Sequence, residues 1–331
     1  MAGDLAQDFL FQRIREMVPQ HVSLVDSVSE VLHISSDSAY RRIRGETFLV
    51  LEEARQLCAH FHLSLDQMLN VKSNSTLFQT SYINGSHYTF ENYLNDLLQQ
   101  LKYIEGFIKK EIVFLTKDLH IFANMLSQPF FAFRHFFWNK SIISSPEYAT
   151  RAFSLDCLTP EINALAEEMA KTYNRIPSTE IWNIEAVNSI ILQVEYYKEA
   201  GVFSSAADIK IIYDSVEETL YHLKEQAELG IKFYPGENPS ARKQNLRLFY
   251  NRVILGDNTI LVTTDHTRTV YLNYNVLNYM ITRDERFCAN TFNEMENLVR
   301  RSTMISETGE KQRNAFFNIL VSKIQERKRH I

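Results

Sequence analysis

Apolar residues recur at helical spacing through the first sixty positions. In LAQDFLFQRIREM, residues 5–17, Leu5, Phe9, Leu10, Ile14 and Met17 share one face, and Pro19 ends the run. In SLVDSVSEVL, residues 23–32, Ser23 stands as N-cap and Leu24, Val28 and Val31 or Leu32 line one side. His33 and Ile34 form a turn. Ser35 then caps a third helix with Asp37 in its first turn, Ala39 and Ile43 four apart, and Gly45 as a left-handed stop. A fourth helix over about 50–61 carries Leu51, Ala54, Leu57, Cys58 and Phe61, and a short fifth, SLDQML, begins at Ser64. Residues 1–70 are thus predicted to be five short helices with tight connections.

Residues 71–88 are rich in Ser, Asn and Thr and read as a linker. Beyond it, apolar residues at 90, 94, 97, 101, 104, 108 and 112 approach a heptad seam, which fits a long helix packed on its own domain or a dimer helix. EIVFLTKDLHIF is a short apolar run that periodicity alone cannot divide between strand and buried helix. Residues 160–173 and 178–200, the latter with Ser178 as cap after Pro177, are predicted to be helices, as is the long run 207–229. After the break YPGENPS, the stretch 246–273 alternates β-rich runs with turn residues and predicts a three-stranded antiparallel meander. Two helices, about 291–302 and 307–328, close the chain. The expected fold is mainly α, α+β overall: a five-helix head (1–70), a linker (71–88) and a helix-rich domain with a small antiparallel meander (89–331).

Composition narrows the picture. Of 331 residues, 45% are hydrophobic and 23% charged, as in a folded soluble domain, and only nine Gly and seven Pro argue against turn-rich folds. Cys58, Cys157 and Cys288 are odd in number and widely spaced, so no disulfide framework is expected, and a reducing cytoplasm fits. No signal peptide and no membrane-length apolar run is apparent. The sequence holds no GxxxxGK, GxGxxG, GxSxG or HExxH, and His60 and His62 lack partners at zinc spacing. These absences point away from an enzyme, and neither cofactor nor metal is expected.

The order from SVSEVLHIS through RRIRGE to LEEARQLCAHFHLSLDQML resembles the lambda-repressor-like (Xre-type) helix-turn-helix family over about residues 8–70. Arg42 stands where that family often carries an apolar residue, with Ile43 taking the second inward position. The resemblance implies a cytoplasmic transcription regulator that binds double-stranded DNA, and contacts follow from residue type. Ser35, Ser36 and Ser38 sit at a helix start that can hold phosphate. Asp37, Tyr40 and Arg41 would face the major groove, where arginine grips guanine, while Arg42 and Arg44 would neutralise phosphates. A unit this small implies a homodimer on two half-sites.

Two further expectations remain open. PFFAFRHFFW, residues 129–138, is a core helix or the wall of a pocket for a small-molecule or peptide effector, with Phe133, Arg134, Phe137 and Trp138 as its lining and Arg134 fixing an anionic group. The net charge is −5, and residues 1–70 hold six Arg and no Lys against ten acidic residues. That acidity favours the competing reading, a protein- or RNA-interaction module built on the same helices.

Overall fold

The computed structural model describes residues 6–19, 22–63, 76–80, 88–253 and 258–331. Among the described residues, four helices form the head: α1 (Ala6–Met17), α2 (Leu24–Leu32), α3 (Ser36–Ile43) and α4 (Leu51–His60). Their ends are set by side chains. Ser23 Oγ accepts the Asp26 N–H, and Ser35 Oγ accepts the Ser38 N–H. Gly45, at φ +73°, closes α3 by letting its own N–H reach Arg42 O and the Glu46 N–H reach Arg41 O. Leu10, Phe11, Ile14, Val28, Leu32, Ala39, Leu57 and Cys58 make the core. On α1 it is Phe11 that is buried, and Phe9 packs only at the margin. The fifth helix expected from Ser64 lies outside the described residues.

The rest is α+β. In chain order it runs β1 (Gln79–Thr80), α5 (Phe90–Glu105), β2 (Glu111–Leu115), α6 (Ile121–Asn124), α7 (Gln128–Phe137), α8 (Pro160–Arg175) and β3 (Ser178–Trp182). It continues with α9 (Asn188–Glu199), α10 (Ala206–Leu229), β4 (Leu246–Tyr250), β5 (Thr259–Thr263), β6 (Arg268–Asn273), β7 (Tyr279–Thr282), α11 (Glu285–Arg300), β8 (Thr303–Met304) and α12 (Glu310–Lys328). The strands form one sheet in the order β1-β7-β6-β5-β2-β3-β4-β8. β2, β3 and β4 pair in parallel, and their neighbours pair antiparallel.

This sheet corrects several expectations. EIVFL is the strand β2. Residues 178–182 are a central strand rather than the start of a helix, and Ser178 is buried in the sheet instead of capping. The meander exists but consists of β5, β6 and β7; β4 is separated from β5 by β2 and β3 and joins β3 and β8. The sheet is therefore the backbone of the domain, not a small appendage. The apparent seam from 90 to 112 is broken at Glu105. Ile108 is exposed, Ile112 belongs to β2, and Leu94, Leu98, Leu101 and Ile104 are buried within their own domain. The last two helices begin at Glu285 and Glu310, earlier and later than their predicted starts.

Strand alternation sorts side chains to two faces. Ile112, Phe114, Trp182, Leu248 and Val262 join the large core beneath helices α5 to α10 and α12. Val113, Leu115, Ile181, Phe249, Leu261 and Val270 meet Cys288 and Met295 of α11 on the other side. The head touches this body along α1: Tyr103 Oη donates to Met17 O at 2.5 Å, and Arg13 pairs with Glu285. Among the described residues no helix is long and apolar enough to cross a membrane.

Candidate nucleic-acid interface and buried cavity

The rotation of α3 follows from what its inner side touches. Ala39 is fully buried and Ile43 packs against the head core. The opposite stripe carries Ser36, Asp37, Tyr40, Arg41 and Arg44, all exposed, with Ser35 at its start; Ser38 is half-buried and shares a hydrogen bond between hydroxyls with Ser35. These positions are spaced three and four apart and so lie side by side. Arg44 lies over the Tyr40 ring, 5.5 Å from its centroid. Arg44 and Arg41 both approach Glu46, at 3.4 and 3.9 Å. Exposed pairs of this kind are weak, so both guanidinium groups can exchange Glu46 for another anion.

Arg42 departs from the sequence-based expectation. Its guanidinium turns away from the exposed stripe and grips Glu53 of α4 through Nε and Nη2, at 3.0 and 2.7 Å, while Nη1 reaches Ser38 O. This bidentate bond is the main cause holding the Glu53 carboxyl below its ordinary range. Arg42 thus fastens α3 to α4 where an apolar residue would otherwise pack. Arg42→Ala is expected to destabilise the head by about 1–2 kcal/mol in urea titration. The same variant should leave the salt slope of any duplex binding unchanged; a slope reduced by about one would return Arg42 to the phosphate-contacting set.

The second feature is a cavity of about 260 Å³ between the sheet and α5. Its apolar wall comes from Leu97 and Leu101 of α5, Phe114 of β2, Ile260 and Val262 of β5, and Leu277. Polar groups also line it, among them Arg134 and Trp138, four apart at the end of α7, Asn124 at the end of α6 and Asn273 at the end of β6. A π-helical turn, Trp138–Ile142, follows directly, a local irregularity that often accompanies functional sites. The expected four-residue lining therefore divides. Arg134 and Trp138 line the cavity, whereas Phe133 and Phe137 turn into the aromatic core against Tyr197, Phe153 and Phe203.

Beneath the cavity lies a buried polar network. Glu180 of β3 accepts hydrogen bonds from Tyr173 Oη at 2.6 Å, Ser178 Oγ at 3.0 Å and Trp182 Nε1 at 3.1 Å. His120 Nε2 lies 3.3 Å from the same carboxylate, and its Nδ1 accepts the Ala123 N–H. Lys232 is also buried, its ammonium bonded to Tyr173 O and Ile176 O beyond the end of α8 and set against the Tyr173 ring. Burial works against ionising Glu180, but His120, Lys232 and Tyr173 outweigh it and hold the carboxyl at about 2. Burial pushes Lys232 down to about 7, against the opposing pull of Glu180. With donors on both carboxylate oxygens, this network is built to hold β3 to α8.

Asn124, Asn273 and the Glu180 network escaped the sequence reading because their partners lie in separate segments. The cavity lining alone combines Asn124, Arg134 and Asn273 across about 150 positions of chain. Among the described residues no group of three or more His, Cys, Asp or Glu could hold a metal ion. No protein-family model matches this chain, and it matches no curated protein and no solved structure.

Proposed function

We propose that the protein is a transcription regulator that reads double-stranded DNA with α3 of an N-terminal helix-turn-helix and senses a small molecule through the body. The observation that carries this reading is the exposed stripe Ser36, Asp37, Tyr40, Arg41 and Arg44, standing on a helix that the head holds rigidly from its other side. Ser36 offers its hydroxyl, and the helix start capped by Ser35 its N–H groups, to phosphate. Tyr40 and Arg41 reach base edges, and Arg44 joins the backbone contacts in place of Arg42. Two copies on half-sites about one helical turn apart would supply the affinity that one such head lacks.

The test is titration of a labelled duplex at several salt concentrations, with wild type and the double variant Arg41→Ala/Arg44→Ala. Log affinity is expected to fall steeply with log salt in the wild type, and the variant's slope should be shallower by about 0.9 for each phosphate contact removed. Absence of duplex binding at low salt would remove the reading.

One observation favours a protein-docking head instead. Phe48 and Val50, between α3 and α4, and Leu51, the first residue of α4, are 68%, 59% and 74% exposed, an apolar cluster beside an acidic head. In that case the same variants would leave duplex binding at background, and Phe48→Ser would abolish association with a protein partner.

A further inference from the structure

The polar lining of the cavity is incomplete in a particular way. Arg134 is only 6% exposed, yet among the described residues it closes no ion pair. Its Nη1 donates to the neutral Gln193 Oε1, its guanidinium lies over the Trp138 ring at 4.8 Å, and its Nε has no partner. Trp138 Nε1 and both side-chain polar atoms of Asn124 are likewise buried without partners. Three donors on residues that line one chamber, Arg134 Nε, Trp138 Nε1 and Asn124 Nδ2, are each left unsatisfied. Buried donors without partners are unfavourable, so native proteins rarely leave several of them unless another group completes them.

We infer that this cavity binds a monocarboxylate with an apolar body, its carboxylate bonded by Arg134, Trp138 and Asn124 and its body lying along Leu97, Leu101, Phe114 and Val262. The volume is about an order of magnitude more than a single water needs, enough for a small organic ligand. The surrounding charges set the limit on the ligand. Asp118 lines the same cavity, held by Ser189 Oγ, and Asp96 stands at the rim with Tyr88 Oη bonded to it. Asp118 already acts on the Arg134 charge, so a phosphate monoester or a dicarboxylate, which brings two negative charges, is excluded. The planar guanidinium also matches carboxylate geometry. This inference rests on the sensing half of the proposed function and identifies what is sensed.

The experiment uses the full chain and hydrocinnamate and octanoate as probes at millimolar concentration. Hydrocinnamamide and phenylpropylamine serve as neutral and cationic isosteres, and binding is read by isothermal titration and thermal shift. At least one carboxylate is expected to bind saturably, at least about tenfold tighter than the amide and amine, since charge-assisted bonds are the stronger ones. Arg134→Met, which keeps the side-chain length and removes the charge, should weaken the carboxylate by about 10- to 100-fold, with its folding checked by thermal shift without ligand. Trp138→Phe should keep the fold and weaken it less. No saturable carboxylate binding, or equal binding of the amide or the amine, would overturn the inference. So would Arg134→Met binding the carboxylate like wild type. All these readouts are taken without DNA. A protein that binds carboxylate but no duplex keeps the cavity assignment and loses the regulator reading, and the reverse result does the opposite.

Discussion

Replacing Glu180 with leucine is expected to remove about 3–5 kcal/mol of stability at neutral pH, because it leaves the other members of a buried network uncompensated. Glu180 is enclosed by Ser178 and Trp182 on its own strand, Tyr173 near the end of α8, Lys232 from the segment after α10, and His120 from the loop before α6. A leucine fills the volume but offers none of these donors a partner. The pH dependence tests the cause. In the wild type, Glu180 titrates near 2 when folded against 4.5 ordinarily, so its contribution is complete above about 4.5 and fades as pH falls toward 2. Lys232 titrates near 7 when folded against 10.5 ordinarily. Between those values the unfolded chain holds a proton that the folded chain has released, so this group makes stability rise with pH. Without Glu180 the folded Lys232 releases its proton at still lower pH. The deficit of Glu180→Leu should therefore be larger at pH 5 than at pH 9 in denaturant titrations. A deficit independent of pH, or one below about 1 kcal/mol, would mean that the network does not couple as described.

The second large effect concerns the residues first associated with a pocket. Phe133→Ala is expected to cost about 3–5 kcal/mol while leaving carboxylate affinity unchanged. Phe133 is fully buried, stacks on Phe203 at 6.0 Å and meets Phe153 and Tyr197 edge-on at 5.6 and 5.8 Å. Removing the ring opens a void in a close-packed aromatic cluster away from the ligand chamber. Calorimetry of ligand binding in the variant, below its lowered melting point, separates the two roles. Lost binding in a still-folded protein would place Phe133 on the cavity wall.

What could be read from the sequence, and what could not, follows a physical division. The caps at Ser23 and Ser35 and the stop at Gly45 are local chemistry, so the ends of α2 and α3 were legible within a residue. The inward set of α3 was less legible. Arg42 holds α4 by charge at a position where pattern reading looks for an apolar side chain. The strand β3 was hidden for a related reason. Both of its faces are buried, Ser178 and Glu180 satisfy each other's needs, and the spacing of Ile181, Ile184, Val187 and Ile191 continues into α9 as though one helix ran throughout. The pairing of β4 with β3 and β8 is non-local, whereas sequence turns argue only for neighbours, so β4 was read into the meander. In α7 every residue from Phe130 to Phe137 is buried. Composition therefore located an aromatic helix, but not which stripe, 133 and 137 or 134 and 138, borders the cavity.

The central claim is that α3 reads DNA sequence. Its most direct test is selection from a pool of random duplexes by the wild type and by Arg41→Ala. The account predicts enrichment of two related half-sites with centres about 10 base pairs apart, and loss of one guanine preference per half-site in the variant. Recovery of no enriched sequence by the folded wild type, or an identical motif from both proteins, would contradict it.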